Sequence, residues 1–284
     1  MMAGLKNFAK DFITKFQEDN VPILAAAQAH YYLLAVFPLL LAGFAIIPYF
    51  NINPNDAMSF IGNALPGEIA TLFQENIVSL IQQPQGGLLT VGVLGALWSA
   101  SNGINAFIKS SNAAYDVEET RSFITVRLLA LGLTLGMIVA LVVAITLPMF
   151  GNVILGFVEP FLGLSGSMSI LLQVLRWTIS IVVLTGILLV LYRFAPNKKI
   201  PFRHIIPGAL TASVLWQLIS LGFSFYVSNF GNYSATYGSL GGIIILIIWF
   251  FLTGLILMIG AVINVLYHQR RIRRNPEKNK ASHI

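Results

Sequence analysis

Six long, predominantly apolar runs divide this chain, at about residues 23–50, 88–109, 126–150, 171–196, 205–230 and 240–267. Each exceeds the roughly 20 residues that a helix needs to cross a hydrocarbon core of about 30 Å. All but one of the 17 Lys and Arg residues lie in alternate segments around these runs: Lys6, Lys10 and Lys15; Lys109, Arg121 and Arg127; Arg193, Lys198, Lys199 and Arg203; and Arg270 to Lys280. The intervening connections hold Asp56, Glu68, Glu75 and Glu159 but no cation. Basic segments stay on the cytoplasmic side, so the alternation predicts an all-α, polytopic membrane protein with six transmembrane helices and both termini in the cytoplasm, in the cell (inner) membrane. The exception is Arg176.

Composition agrees: 56% of residues are hydrophobic, 10% are charged, and cysteine is absent, which excludes disulfides and cysteine-ligated clusters. The net charge of +6 sits beside the spans and in the tail. It therefore points to anionic lipids at the cytoplasmic face rather than to nucleic acid. Leu5, Phe8, Phe12 and Phe16 recur at helical spacing among lysines, predicting an N-terminal interfacial helix over about 4–18. Between residues 53 and 84, helix starts at Pro54 and Pro66 and the stripe Ile69, Leu72, Phe73, Ile77, Leu80 and Ile81 predict an outer amphipathic helical cap. These elements make one membrane domain, 1–268, followed by a basic cytoplasmic tail, 269–284.

Polar groups inside a membrane are costly and mark candidate sites. Asn102, Asn105, Lys109 and Asn112 share one helix face, as do Ser213, Gln217, Ser220, Ser224 and Ser228. Both faces are expected to point inward, onto a cavity or onto neighbouring helices joined by hydrogen bonds. Gln28, His30, Tyr31 and Tyr32 open the first span, where Pro38 predicts a kink. Arg176 lies about 9 Å inside the outer end of the fourth. The segment Asn232 to Gly242 contains Tyr233, Tyr237, Gly238 and Ser239. It is either a tight loop or a helix N-terminus that accepts an anionic head group. Gly254 and Gly260 permit close helix contact within a chain or in a homo-oligomer.

Other chemistries find little support. Gly163-Leu164-Ser165-Gly166 matches a short serine-protease motif, but its histidine partner would be His30, at the opposite depth. No zinc-protease or phosphate-loop motif is present, and no catalytic, metal or cofactor residue is assigned. Asp116, Glu118 and Glu119, followed by Arg121, read as a solvated cytoplasmic turn.

Several stretches resemble the YihY/BrkB family: Ala25 to Tyr32 with Phe37 to Leu40, Leu97 to Gly103, Asn112 through Glu118 to Arg121, Leu191 to Asn197, Pro207 to Ala209 with Trp216, and Tyr233 to Leu240 with Trp249. The resemblance implies a bacterial inner-membrane protein linked to envelope phenotypes such as serum resistance. Family members also carry the old label ribonuclease BN, which these residues do not support: a nucleophile, metal ligands and an exposed RNA platform are missing. Two functions follow. One is a transporter or flippase for a lipid-like or envelope-related molecule, with a cavity lined by Gln28, His30, Asn102, Asn105, Lys109, Gln217 and Ser220 and a head group held by Arg176 and the Tyr233 to Ser239 loop. The other is a non-transporting scaffold or regulator that acts through partners.

Because the chain lacks cysteine, single introduced cysteines report sidedness directly. A membrane-impermeant maleimide added to intact spheroplasts is expected to label Gly151→Cys and to spare Lys6→Cys and Lys280→Cys. Labelling of Lys280→Cys from outside would reverse the orientation.

Overall fold

The computed structural model describes residues 2–46, 86–139, 167–230 and 240–274, and among them every regular element is helical. The helices are α1 (Met2–Glu18), α2 (Val21–Ile46), α3 (Gly86–Ala114), α4 (Phe123–Val139), α5 (Ser167–Phe194), α6 (Phe202–Phe230) and α7 (Leu240–Arg274). Four contain segments long and apolar enough to cross a membrane: Thr90–Ala114, Trp177–Phe194, Phe202–Val227 and Gly241–Arg273. α2 and α4 carry the shorter apolar stretches Val21–Val36 and Phe123–Val139. The chain is an all-α polytopic membrane protein; the expected 53–84 cap lies outside the described residues.

Large apolar side chains cover its exterior. Val91, Leu94, Leu128, Val182, Leu218 and Phe225 are each at least 60% exposed, an arrangement that would aggregate in water and is at home in lipid. Lipid as apolar as leucine cannot drive helices together, so packing must come from close contact and interhelical hydrogen bonds.

Two compact units satisfy that demand separately. The first comprises Met1–Val21, Ile108–Leu218 and Ile256–Ile284. In it, Gly260 faces the Tyr192 hydroxyl and the Gly208 carbonyl so closely that no side chain fits, and Gly208 meets Gly260 and Asn264 in the same way. Tyr192, fully buried, donates its hydroxyl to the Leu257 carbonyl at 2.8 Å. The Gly208 amide, one residue after Pro207 inside α6, donates to Asn264 Oδ1 at 2.8 Å. Thr185 donates to Ser213 Oγ at 2.9 Å, joining α5 to α6; such pairs contribute about 0.6–2 kcal/mol in membranes.

The second unit comprises Pro22–Phe107 and Ile219–Leu255. Here Gly254 lets α7 approach the backbone of Ala25 in α2, with a Cβ placed at Gly254 falling 2.8 Å from the Ala25 carbonyl oxygen. Gly103 likewise makes room for the Tyr32 ring, which also stacks edge-on with Phe250 at 5.9 Å. The contacts open to Gly254 and Gly260 in the sequence are thus made within the chain. Pro38 sits inside α2, which continues past it.

Substituting Gly260→Leu is expected to lower the thermal midpoint sharply or abolish folding, because overpacking costs about 1–3 kcal/mol even for a few added methylenes. Gly222, inside α6, has open space around its Cβ position, so Gly222→Leu serves as the matched control and should not lower the midpoint. Fluorescence-monitored melting in detergent compares the two.

Candidate functional site

A densely hydrogen-bonded polar cluster lies in the first unit and begins where α3 ends. The Asp116 amide bonds to the Ala113 carbonyl and the Val117 amide to the Asn112 carbonyl, each at 3.0 Å, with Asp116 left-handed at φ 51°. This pair of bonds is a Schellman cap, in which aspartate tolerates the left-handed position usually given to glycine. The cap turns the chain sharply enough to bring Glu119 back against Asn112. Both ends of the buried Asn112 amide are used: Nδ2 donates to Glu119 Oε2 at 2.8 Å, and Oδ1 accepts the Asn197 amide at 2.7 Å.

Arg121 completes the knot. It grips Glu119 through Nε (2.7 Å) and Nη2 (2.6 Å), while Nη2 also donates to the Ala195 carbonyl (2.9 Å) and Nη1 to that of Phe194 (3.3 Å). A guanidinium at the end of α5 satisfies carbonyls that the helix leaves orphaned and complements its dipole. Asn197 Nδ2 donates to the Glu118 carbonyl and to Thr120 Oγ1. The hydrogen bond from Arg121 holds the Glu119 carboxyl below its ordinary range; partial desolvation opposes this, and the Arg121 amide and Asn112 assist it. The stretch read as a solvated turn is exposed at Asp116, Glu118 and Glu119, and it is also a junction, because Asn112 and the α5 carbonyls supply partners that sequence spacing does not reveal.

α1 docks onto the same unit through charge. Lys15 Nζ lies 2.8 Å from Asp116 Oδ2 and 2.9 Å from Asp19 Oδ1, and Arg270 Nη2 lies 2.6 Å from Asp11 Oδ2 while its guanidinium covers the Phe8 ring at 4.9 Å. Burial alone would lower the Lys15 pKa, but hydrogen bonds to Asp116 and Asp19 outweigh it and hold the ammonium above its ordinary value. Near the end of α7, His204 and His268 meet Nδ1 to Nδ1 at 2.8 Å.

The second unit holds several of the expected cavity residues. Gln28 is fully buried; its Oε1 accepts the Tyr32 hydroxyl at 3.3 Å and its Nε2 has no partner. Asn105 Oδ1 is also buried and unpartnered, and Asn102 is half-buried and bonded. His30 stands exposed on the edge of an apolar groove of about 330 Å³ walled by Ala26, Ala29 and Leu33 of α2 and Ile247, Ile248 and Phe251 of α7. Ser220 is half-buried in this unit, and Gln217 is half-buried in the first.

Not every polar face points inward. Lys109 and Ser224 are exposed, because a lysine stem lets its charge reach water and a helical serine has backbone carbonyls within reach. Ser213 is helix glue: buried, it donates to the Ala209 carbonyl and accepts from Thr185. Arg176 falls within α5, but its side chain lies outside the described residues, as do Glu159, the Gly163 to Gly166 motif, and Tyr233, Tyr237, Gly238 and Ser239. Sequence reasoning passed over Asn197, Asn264, His204 and His268. The one signal for the first was that the Asn112 to Arg121 and Leu191 to Asn197 stretches both bear the family resemblance; in the structure they bond to each other.

Fold and buried polar junctions together define a helical membrane protein stitched by asparagine, arginine and glycine contacts. The chain belongs to the family described as Virulence factor BrkB, which matches residues 12–284. It is 40% identical to the ribonuclease-like protein YfkH of Bacillus subtilis over 96% of this chain and 98% of that one. It is 27% identical to a UPF0761 membrane protein of Tolumonas auensis over 90% of this chain and 83% of that one. A UPF0761 membrane protein of Vibrio vulnificus, VV0203, is also 27% identical, over 95% and 85%. No solved structure matches the chain.

Replacing Glu119→Gln should lower the thermal midpoint at pH 7 by about 2–4 °C, as loss of ~1 kcal/mol does in chains of this size. The lowered carboxyl contributes stability that is full above its ordinary value of 4.5 and disappears as pH falls through the depressed one. Melting curves of wild type and variant should therefore converge as pH falls below that ordinary value and through the depressed one; a gap of constant size would place the contribution elsewhere.

Proposed function

We propose that this inner-membrane protein, with both termini in the cytoplasm, is a transporter or flippase for a lipid-like, envelope-related molecule and not an enzyme. The observation that carries this reading is the apolar groove at His30. Its volume, about 330 Å³, falls at the lower end of the range for small-molecule sites. Its walls are alanine, leucine, isoleucine and phenylalanine with a single imidazole at the edge. That lining suits a hydrocarbon chain, which needs no hydrogen bonds, with a polar end near His30.

In the same unit, Gln28 and Asn105 carry buried amide atoms without partners. Such atoms cost about 1–3 kcal/mol each when left unpaired, a cost that a passing polar head group or water would offset. Lys109, Asn102, Gln217 and Ser220 are further candidate contacts, with Arg176 and residues Tyr233, Tyr237, Gly238 and Ser239 receiving the head group on the outer side. The basic cytoplasmic segments meet anionic lipids, and no nucleic acid is involved. The name of YfkH refers to ribonuclease, but among the described residues no three His, Asp or Glu side chains gather as a metal site would require.

Extraction in native lipid discs followed by mass spectrometry tests this. One lipid or envelope precursor should be enriched over discs of an unrelated polytopic protein. The enrichment should fall at least fivefold in Ala26→Trp, which fills the groove from an exposed position, and in Arg176→Gln. An ordinary lipid profile with a co-purifying protein would replace transport with a scaffold or regulatory role.

A further inference from the structure

Where α6 begins and α7 ends, basic side chains gather around a pair of imidazoles. His204, in the first turn of α6, and His268, 6% exposed on α7, share the 2.8 Å Nδ1 contact with ring centroids 5.1 Å apart. Tyr267 stands edge-on to His204 at 6.0 Å, and its hydroxyl oxygen accepts Nε (3.1 Å) and Nη2 (2.9 Å) of Arg271. The charge of Arg271 bears on His204 and that of Lys198, from the connection between α5 and α6, bears on His268. Among the described residues none of these four has an acidic partner; the nearby Arg270 is engaged by Asp11.

A histidine pair bridged through Nδ1 is asymmetric when neutral. One ring uses its proton in the bridge and has a bare Nε2, and the other carries its proton on Nε2. The neutral pair thus offers one Nε2–H donor beside Arg271 and Lys198, whose charges have no acidic partner among the described residues. The missing component is an anion with several acceptor oxygens, and charge-assisted hydrogen bonds from guanidinium and ammonium, with an imidazole N–H beside them, fit a phosphate group.

We propose that His204, His268, Lys198 and Arg271 form a binding site for a phosphate group, carried by an anionic phospholipid head group or by free phosphate. The site deepens the reading that basic cytoplasmic segments meet anionic lipids and rests on that part of it alone, since none of its residues lines the His30 groove. Arg271 and Lys198 are exposed and supply the long-range attraction. The imidazole pair supplies an N–H donor, and Tyr267, whose hydroxyl oxygen is occupied by Arg271, orients the guanidinium.

The full chain in phosphatidylcholine nanodiscs is titrated with inorganic phosphate at constant ionic strength. In parallel, discs containing equal phosphatidylglycerol and phosphatidylcholine are analysed by native mass spectrometry. Lys198→Gln/Arg271→Gln alters only exposed residues, so its melting midpoint should match wild type, and Lys6→Gln is the control for a cation elsewhere. The expected result is at least a tenfold loss of phosphate affinity or of phosphatidylglycerol preference in the double variant and none in Lys6→Gln. Binding of inorganic phosphate identifies free phosphate as sufficient, and retention of phosphatidylglycerol alone identifies the lipid head group.

His204→Gln, which removes one ring of the pair, should also weaken phosphate binding at pH 7, with its melting midpoint tracked alongside. Absence of binding in both arms, equal loss in Lys6→Gln, or undiminished binding in His204→Gln would overturn the site.

Discussion

Lipid offers no hydrogen bonds, and the architecture follows from that one constraint. Every polar group drawn into the apolar runs must find its partner within the protein or at the rim, and the cost of failure is about 1–3 kcal/mol per group. Asn112 meets it by spending both ends of its amide, one on Glu119 and one on the Asn197 backbone. Arg121 meets it for the last carbonyls of α5. These bonds tie segments more than 70 residues apart in sequence, so the end of α3, the turn after it and the end of α5 stand or fall together.

Close packing of small residues supplies the second half of the stability. Gly208 and Gly260 bring α6 and α7 to backbone contact, with the Tyr192 hydroxyl and Asn264 filling the space beside them. Dispersion between backbones at that distance replaces the hydrophobic drive that membrane helices lack. The same logic explains why Gly132, Gly136 and Gly186, which have nothing near their Cβ positions, leave an apolar recess instead of a contact.

A few buried polar atoms lack partners all the same. Gln28 Nε2 and Asn105 Oδ1 are buried without partners in a unit that also holds the apolar groove at His30, and Ser111 Oγ, Tyr115 Oη and Asn264 Nδ2 are so in the other unit. Arg271 and Lys198, by the histidine pair, have no acidic partner among the described residues. Departures of both kinds are found at binding sites.

Hydrophobic run length was enough to read the described helices as apolar membrane helices, since crossing length is a property of segments taken one at a time. The amphipathic stripe of α1 was legible for the same reason, and so were the inward-facing Gln28 and Asn112. What spacing along one helix leaves open is which polar face meets another helix and which meets a rim. Ser213 and Ser224 share a ridge, yet one is buried glue and the other exposed. The acidic turn at Glu119 is solvated as read, but its part in a junction was not legible, because Asn112 and the α5 carbonyls that bond Glu119 and Arg121 come from elsewhere in the chain. By itself the sequence determined an all-α membrane protein, its apolar segments and its family resemblance. Only the tertiary structure decided that Gly254 and Gly260 serve contacts within the chain and that His204 faces His268, because pairing between distant helices depends on rotation and depth that no local pattern encodes.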